Sequence, residues 1–329
     1  MTEQLRIASF NLENLDDKPG QVPELAARIA ILRPQIERLR ADVLCLQEVN
    51  RQDGAGHGPG RLSALDTLLQ GTPYQRFERV VSEGTHHGPM DVHNLVILSR
   101  LAVLETSQYH NDLVEAPRFR PATAVPPPEW AEAVKWDRPI LHARLDAGGG
   151  RVLELFNVHY RAPLAAFIPG QKSEPFVWKS VSGWAEGYYL AAMKRSGQAL
   201  ETRLAIEDCF EREAQALVCV AGDFNAGLDE MPLRILIGAE EDTGSGDLAG
   251  HSLVPLELSL SADRRYSVIH HGKRQMLDHL LASRRLAGYF RGFETHNEAL
   301  GDEMEGYANV AHSPSSYHAP IVAEFALPG

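Results

Sequence analysis

Short apolar runs that end in acids or amides recur along the chain. Residues 43–46 (Val-Leu-Cys-Leu) lead to Glu48, and residues 217–220 (Leu-Val-Cys-Val) lead to Asp223 and Asn225. Runs of this length, bounded by polar residues, predict buried β-strands. Since Asp and Asn are poor strand formers and costly to bury without partners, their position at a strand end requires either a turn or a ligand. The same form recurs at residues 5–11, 94–99, 152–159, 276–281 and 318–325.

Helical stretches lie between these predicted strands. Apolar residues recur at the spacing of one helix face at Leu25, Ile29, Leu32, Ile36 and Leu39. Pro34 must kink or divide this helix, because proline has no amide hydrogen to donate. Residues 61–69 and 196–213 are two more helical stretches. Strands separated by helices predict a layered α/β protein, but the pattern alone leaves the strand directions open.

Two segments are predicted to be insertions into this scaffold. Residues 117–139 contain six prolines and should form an ordered but irregular loop. Residues 161–195 mix aromatic side chains with lysine and arginine. Aromatic faces beside cations are able to stack bases along a phosphate chain. The alternative, which is the commoner arrangement, is a small satellite core with a solvated basic rim.

Composition indicates an ordinary folded protein. The 329 residues are 44% hydrophobic and 23% charged, and no low-complexity linker divides them, so we expect one domain over residues 1–329. No apolar stretch approaches the roughly 18 residues that span a bilayer, and the start lacks a signal-peptide pattern, which predicts a cytoplasmic protein. Cys45, Cys209 and Cys219 follow no metal-binding spacing and are predicted to be buried thiols. The formal net charge of −12 argues against a protein that holds long duplex DNA mainly by neutralising phosphates.

The predicted strand ends supply an uncommon set of polar residues for one site. A hard divalent cation takes a carboxylate and waters, which Glu48 could provide with help from Asn11. Attack on phosphorus needs a positioned water, donors for the oxygens that gain charge, and a group that stabilises the leaving oxygen. Asp, Asn and His side chains can divide those roles. The set comprises Asn11, Glu48, Asn157, His159, Asp223, Asn225, Asp278 and His318.

In their order along the chain, these motifs resemble the endonuclease/exonuclease/phosphatase superfamily, which includes pancreatic-type deoxyribonuclease, apurinic endonucleases, bacterial sphingomyelinases and inositol polyphosphate phosphatases. The resemblance implies a DNase I-like fold: a four-layer α/β/β/α sandwich of two packed mixed β-sheets flanked by helices. Residues 265–279 resemble bacterial secreted nucleases of that superfamily more loosely. The motifs are Ser9-Phe10-Asn11, Leu46-Gln47-Glu48-Val49, Asn157-Val158-His159, Gly222-Asp223-Phe224-Asn225, Leu277-Asp278-His279 and His318-Ala319-Pro320.

The resemblance also implies a role for each motif residue. Glu48 would be the principal ligand of Mg²⁺, or of Mn²⁺, with Asn11 assisting at the metal. Asp223 would activate or position the attacking water, and Asn225 would fix Asp223 and the phosphate. His159 would contact phosphate oxygens and protonate the leaving group.

Five further residues complete the expected site. His318 would stabilise the transition-state phosphate or transfer a proton, held through its imidazole by Asp278. That pairing has its own physical basis, since a carboxylate behind an imidazole fixes its tautomer and favours the charged form. Asn157 would contact phosphate oxygens. Arg138 would supply a fixed positive charge, and Asn94 would be a substrate-side residue.

One position departs from the family pattern. Members usually end in Ser-Asp-His before the last strand, whereas this chain has Ser316-Tyr317-His318.

From the whole set of motifs we expect a metal-dependent phosphodiesterase, most readily a nuclease acting on single-stranded or short nucleic acid. A phosphatase or phosphodiesterase acting on a small phosphorylated compound or lipid head group is the alternative. Tyr317 also leaves open a catalytically inactive binding protein on the same fold.

Overall fold

Eighteen strands make up the sheets in the part of the chain that the structure describes. The computed structural model describes residues 3–52, 60–84, 88–307 and 312–329. The strands in these ranges are β1 (Glu3–Leu15), β2 (Val43–Val49), β3 (Glu78–Val81), β4 (Asn94–Ser99), β5 (Val103–Tyr109), β6 (Arg118–Phe119), β7 (Glu132–Ala133), β8 (Ile140–Asp146), β9 (Val152–His159), β10 (Lys172–Glu174), β11 (Val177–Trp178), β12 (Leu217–Asp223), β13 (Leu253–Pro255), β14 (Val268–His270), β15 (Lys273–Gln275), β16 (Asp278–Ser283), β17 (Phe290–Thr295) and β18 (Ile321–Leu327).

Seven α-helices and three short 3₁₀ turns connect the strands in the same ranges. None of these helices is long and apolar enough to cross a membrane. The helices are α1 (Leu25–Leu39), α2 (Ser63–Leu69), α3 (Val181–Arg212), α4 (Met231–Ile237), α5 (Glu240–Thr243), α6 (Arg284–Ala287) and α7 (Glu303–Tyr307). The 3₁₀ turns are Pro73–Arg76, Gly246–His251 and Leu256–Ser259.

Two six-stranded sheets form the centre of the fold, and both are mixed. The strand order is β17-β18-β1-β2-β4-β3 in the first sheet and β13-β16-β12-β9-β8-β5 in the second. Each sheet has one parallel pair near its middle, β1 with β2 and β9 with β12, and all other neighbours are antiparallel. Parallel strands deliver their carboxyl ends to the same edge of a sheet.

Alternation along the strands builds the four layers. In β2, Val43 and Cys45 face the core between the two sheets, while Leu44 and Leu46 pack under α1 and α2. The second sheet is built the same way, with its outer apolar residues packed under α3 and α4. Successive side chains of a strand point to opposite faces of the sheet, and this alternation divides them between the central core and the outer layers. The predicted α/β/β/α sandwich is confirmed.

One predicted helix is continuous, and another begins earlier than predicted. Of the two outcomes predicted for Pro34, division does not occur: α1 runs through Pro34 and buries Leu25, Leu32 and Ile36. The helix predicted over residues 196–213 begins earlier, at Val181, so half of the predicted insertion 161–195 is helical. The hydroxyl of Ser180 accepts a hydrogen bond from the amide of Gly183 and caps this helix.

The predicted loop and the predicted thiols agree with the structure. Residues 117–139 are mostly irregular and contain only the short antiparallel pair of β6 and β7. All three cysteines are free and buried. Burial raises the pKa of the Cys219 thiol to about 12, so it is protonated and unreactive at neutral pH.

Candidate active site

The strand ends of both sheets meet at one edge of the sandwich. Asp223, the last residue of β12, lies opposite His159 on β9 and opposite Asp278 on β16. Asn11 and Glu48 come from the parallel strands β1 and β2 of the other sheet. The two sheets touch here, because the side-chain nitrogen of Asn11 lies 3.0 Å from a carboxylate oxygen of Asp223. Residues 212 positions apart are thereby brought together.

Asn11 links the two acids of the site. Its amide nitrogen donates to Glu48 Oε1 at 3.1 Å and to Asp223 Oδ2 at 3.0 Å. Its carbonyl oxygen accepts from the backbone amide of Glu13 at 2.9 Å. Asn11 therefore presents nitrogen, not oxygen, to the carboxylates. In this arrangement it holds the two acids together, and its role at the metal stays a prediction.

Asp223 is fixed by the residue that the sequence predicted for that purpose. Asn225 donates to it twice, through its backbone amide at 2.9 Å and through its side-chain nitrogen at 3.1 Å. Asn225 adopts a left-handed conformation with φ of 49°, which asparagine tolerates better than most residues. Burial is the largest effect on Asp223 and raises its pKa to about 7.

His159 and His318 flank Asp223 in opposite charge states. His159 Nε2 lies 3.4 Å from Asp223 Oδ2, and His318 Nε2 lies 3.9 Å from the same atom. Burial, together with the charges of Arg138 and the other two histidines nearby, lowers the pKa of His159 well below its ordinary value. Its imidazole is therefore neutral at physiological pH.

His318 is held as an imidazolium. Its Nδ1 lies 2.8 Å from Asp278 Oδ2, as the sequence predicted. Burial alone lowers the pKa of His318 and is the largest single effect, but the charges of Asp278 and Asp223 and the hydrogen bond together raise it well above its ordinary value. Two imidazoles with opposite protonation states on either side of one carboxylate provide distinct proton-handling groups.

Glu48, His159 and Asp223 form a group able to hold a cation. One ligand atom from each lies within 4.8 Å of the others. Glu48 Oε1 is 3.7 Å from His159 Nε2, and the other carboxylate oxygen of Glu48 accepts from the backbone amide of Asn14 at 3.0 Å. Two carboxylates and one imidazole nitrogen fit a divalent cation such as Mn²⁺, and the carboxylates with waters fit Mg²⁺. The donor set therefore matches the cofactor expected from the sequence.

The family model of the Endonuclease/Exonuclease/phosphatase family matches residues 8–299. The chain belongs to this family. No curated protein matches the sequence significantly. Membership of the endonuclease/exonuclease/phosphatase family supports a phosphoester-hydrolysing enzyme, and enzymes of the family generally use a divalent metal.

Solved structures share the fold of this family member at low identity. Truncated TDP2 from Caenorhabditis elegans has 16% identity and a TM-score of 0.57, and the match covers 98% of each chain. An AP endonuclease from Archaeoglobus fulgidus has 14% identity and a TM-score of 0.52, over 98% of this chain and 99% of that chain. TDP2 from D. rerio, complexed with a single-strand DNA product, has 15% identity and a TM-score of 0.54 over 98% of each chain.

Two amides predicted to touch substrate lie elsewhere. Asn157 is fully buried between the sheets, where it donates to the carbonyls of Leu46 and Val96 and accepts from Gln47. Asn94 is also fully buried and donates to the carbonyls of Val49 and Met90. The side-chain oxygen and nitrogen of both residues are buried and hydrogen-bonded to protein groups, so neither amide is free to contact a phosphate. Their placement is that of structural cross-links beside the site.

Arg138 reaches the site through a residue outside the predicted set. Its Nη2 lies 2.6 Å from Nδ1 of His93, and the ring of His93 stacks on His159 with centroids 6.0 Å apart. His93 Nε2 in turn lies 3.0 Å from the side-chain oxygen of Asn14. The position of His93 just before β4 indicated a role at the site, but its hydrogen bond with Arg138 was not visible in the sequence.

Glu13 stands next to the position where this family usually has an acid. The backbone amide of Tyr317 donates to Glu13 Oε2 at 2.6 Å, across 304 residues of sequence. Burial is the largest effect on Glu13 and raises its pKa to about 7. Glu13 therefore brings a carboxyl group to the neighbourhood that lacks the usual Asp at position 317.

Strained backbone is concentrated at the site. Five of the eight non-glycine residues with positive φ in the described ranges surround it. Such conformations cost of order 1–3 kcal/mol each and persist only where the surroundings enforce them. The five are Glu13, Asn14, Glu48, His93 and Asn225.

A cavity of about 520 Å³ opens beside Glu48 and His318. Its wall mixes both signs of charge: Glu13 and Asp16 face it, and so do Lys18 and Arg28. The immediate surroundings of the acids are therefore a partly walled pocket of mixed charge rather than a uniformly basic trough.

Proposed function

We propose that this protein is a divalent-metal-dependent phosphodiesterase that cleaves nucleic acid, with single-stranded or short substrates preferred over long duplexes. The observation that carries the proposal is the pair of carboxylates, Glu48 and Asp223, bridged by Asn11 and flanked by a neutral His159 and a charged His318. Localisation in the cytoplasm and organisation as a single domain stay predictions from the sequence.

The residues divide the work of hydrolysis as follows. A divalent cation held by Glu48, Asp223 and His159 would supply positive charge to the phosphate oxygens. Asp223, oriented by Asn225, positions the attacking water and accepts its proton. His318, kept charged by Asp278, stabilises the negative charge that builds on the phosphate in the transition state.

His159 and Arg138 complete the arrangement. The neutral imidazole of His159 would offer the cation its Nε2, which is the nitrogen that faces Glu48 and Asp223. Arg138 is buried and fixed by His93, so its positive charge lies behind the site and adds to the potential that attracts an anionic substrate.

Two kinds of support favour a nucleic-acid substrate. Among proteins of the same fold, one is an AP endonuclease and another was solved with a single-strand DNA product. The segment 161–195 also carries five Lys or Arg residues against two Glu, a net charge of +3 in a chain of −12. A local excess of basic residues can bind a phosphate chain despite an acidic total.

A small phosphorylated compound is the second candidate. The cavity beside Glu48 favours it, because a pocket of about 520 Å³ walled by mixed charges has the size of a small-molecule site. In that case the protein would act as a phosphatase or phosphodiesterase on a single compound or a lipid head group.

Hydrolysis of an aryl phosphodiester, assayed with Mg²⁺ and with Mn²⁺, tests the enzyme proposal. We expect Asp223→Asn and His318→Ala each to lower kcat by about 10²–10⁴-fold. Asp66→Asn, which alters an exposed acid paired with Arg79, is the matched control and should retain full activity. If neither metal supports turnover by the native chain, the protein is not this enzyme, and the inactive binding protein is the better description.

A side-by-side comparison of single-stranded DNA, duplex DNA, RNA and phosphoinositides separates the two candidates. Cleavage of single-stranded nucleic acid at a higher kcat/KM than duplex is the expected result. Turnover of the small compounds alone would replace the nuclease proposal with the second candidate.

A further inference from the structure

The chain carries an unusually exposed group of large apolar residues beyond the catalytic edge. We call residues 164–195 the aromatic arm; it comprises β10, β11, the loops around them and the first part of α3. Aromatic side chains in folded proteins are mostly buried, so a cluster this exposed marks an interaction site. Eight of its large apolar side chains are between 41% and 84% exposed: Leu164, Phe167, Phe176, Val177, Val181, Trp184, Tyr188 and Tyr189.

The arm has its own small core, and the exposed rings are not part of it. Ile168 and Leu190 form this core with Ala124, and Trp178 packs against it. Lys172 lies over the ring of Trp178 at 4.6 Å. The satellite core considered from the sequence is therefore present. Tyr189 contacts Phe119 at the edge of that core, with ring centroids 5.7 Å apart, whereas Phe176, Trp184 and Tyr188 stay exposed after the core has been filled.

Trp184 and Tyr188 form a stripe along α3, in line with a residue that contacts the loop after β12. We call this loop, which carries Asn225, the catalytic loop. Their rings stack with centroids 5.3 Å apart. At about 100° per residue, Trp184, Tyr188 and Arg195 lie within about 40° of one another around the helix axis. Arg195 Nη1 donates to the carbonyl of Asn225 at 2.6 Å. The stripe thus begins about 16 Å along the helix from a residue that contacts the catalytic loop.

Charge on the arm matches an anionic polymer. The arm carries four Lys or Arg residues against two Glu, a net charge of +2 in a chain of −12. Lys194 pairs with Asp137 and Arg195 with Glu230, so Lys172 and Lys179 carry the charge available to a phosphate chain. An occupant must present a scissile phosphate at Asp223 and flat apolar groups further out along α3. A single strand of nucleic acid has both, since its phosphates follow a basic surface while each base offers a face for stacking.

We propose that the aromatic arm binds single-stranded nucleic acid by stacking unpaired bases on Trp184 and Tyr188, and so selects single strands over duplexes. The inference rests on the proposed function, because it takes the substrate to be a phosphodiester polymer. Duplex DNA gains nothing from these rings, as its bases are already stacked and paired.

Binding of a fluorescent twelve-nucleotide DNA in EDTA tests the arm without requiring turnover. We expect the double variant Trp184→Ala/Tyr188→Ala to bind about 25-fold more weakly than the native chain, since each stacked base contributes about fivefold or more. Trp184→Phe/Tyr188→Phe keeps the ring faces and should stay within a few-fold of native. Leu200→Ala/Leu204→Ala removes two other exposed apolar residues of α3 and is the matched control.

Three results would overturn the inference. One is equal affinity of the alanine double variant and the native chain for the single strand. Another is an equal loss in the Leu200/Leu204 control, which would indicate a general effect on α3. The third is loss of binding to phosphatidylserine-containing vesicles with unchanged DNA affinity, which would make the arm a membrane-facing surface.

The aryl phosphodiester assay keeps the two proposals distinguishable. A native chain that hydrolyses this compound, with no effect of the arm variants on DNA affinity, refutes the arm alone. A native chain with no metal-dependent turnover refutes the proposed function, whatever the DNA affinities are.

Discussion

A buried ion pair behind the catalytic loop provides the sharpest stability prediction. His279 Nδ1 lies 2.5 Å from Glu257 Oε1, and its Nε2 lies 2.8 Å from the carbonyl of Ala226, three residues after Asp223. Neither His279 nor Glu257 is exposed to solvent at all. Both ring nitrogens face oxygen acceptors, which is the arrangement of an imidazolium with two N–H donors.

Removing the carboxylate should leave the buried positive charge of this imidazolium without a negative partner. We expect Glu257→Ala to lower the free energy of unfolding by about 3–5 kcal/mol, the usual cost of breaking a buried pair by deleting one partner. Glu257→Gln keeps an acceptor but loses the charge, so its expected cost is smaller, about 1.5–3 kcal/mol. The loop that carries Asn225 should loosen in both variants, because Ala226 is held by the same ring.

The effect should depend on pH with a definite sign. Burial lowers the pKa of His279 and is the largest single effect, but the charge and hydrogen bond of Glu257 and the carbonyl of Ala226 outweigh it and leave the pKa raised. The folded protein therefore holds this proton more tightly than the unfolded chain. The resulting stability is complete below the unfolded pKa of about 6.5 and is lost as the pH rises through the folded value.

Urea unfolding followed by tryptophan fluorescence at pH 6 and pH 9 measures both effects. The cost of Glu257→Gln should be larger at pH 6 than at pH 9. The matched control is Glu303→Gln, since His270 and Glu303 lie 2.9 Å apart with side chains 39% and 26% exposed. An exposed pair of this kind is worth less than about 1 kcal/mol. A cost for Glu257→Ala no larger than that of the control, or a cost of Glu257→Gln that grows with pH, would refute the reasoning.

Three further outcomes follow from the site. Glu48→Gln should abolish tight Mn²⁺ binding in isothermal titration, because it removes the more accessible carboxylate; unchanged affinity would place the metal elsewhere. Asn157→Leu should cost about 3 kcal/mol or more in urea unfolding, since it leaves several buried backbone and side-chain groups unpaired; a loss of activity without a loss of stability would restore the phosphate-contact interpretation. Gly222→Ala should lower the free energy of unfolding by about 3 kcal/mol or more, because the new Cβ would lie 2.0 Å from the carbonyl oxygen of Val158. The Cβ of Gly292→Ala meets no atom within 4 Å, so that variant should leave the free energy of unfolding nearly unchanged.

Much of the catalytic centre was predictable because its residues stand at strand ends. Glu48 and Asp223 each follow a buried apolar run, and parallel neighbours bring such ends to one edge. The pairing of His318 with Asp278 was expected from the family resemblance, and the two side chains lie 2.8 Å apart. The strand-end pattern is sufficient for the placement of the two acids, and the resemblance supplied the pairing.

Position at a strand end does not determine the direction of a side chain. Asn157 lies near the end of β9 and Asn94 begins β4, yet both side chains are buried and hydrogen-bonded to protein groups. A strand presents alternate residues to opposite faces, and a single amide in the sequence does not show which face it takes.

The start of α3 was missed for a different reason. Its first turns mix glycine with aromatic residues, and this composition has no clear helical period. Ser180, whose hydroxyl caps the helix, was the one local signal that marked the boundary. The helix forms there because its inner face packs on the small core around Leu190.

The sequence by itself determined the layered α/β architecture, the order of the motifs and the residues that supply acid, amide and imidazole groups. Only the tertiary structure decided which of them meet: Asn11 bridging two acids from different sheets, and Glu13 reaching Tyr317 across the β1–β18 pairing. Local pattern is set by burial and backbone geometry over a few residues. Contacts between sheets depend on register and packing over hundreds of residues, and these are properties of the folded chain.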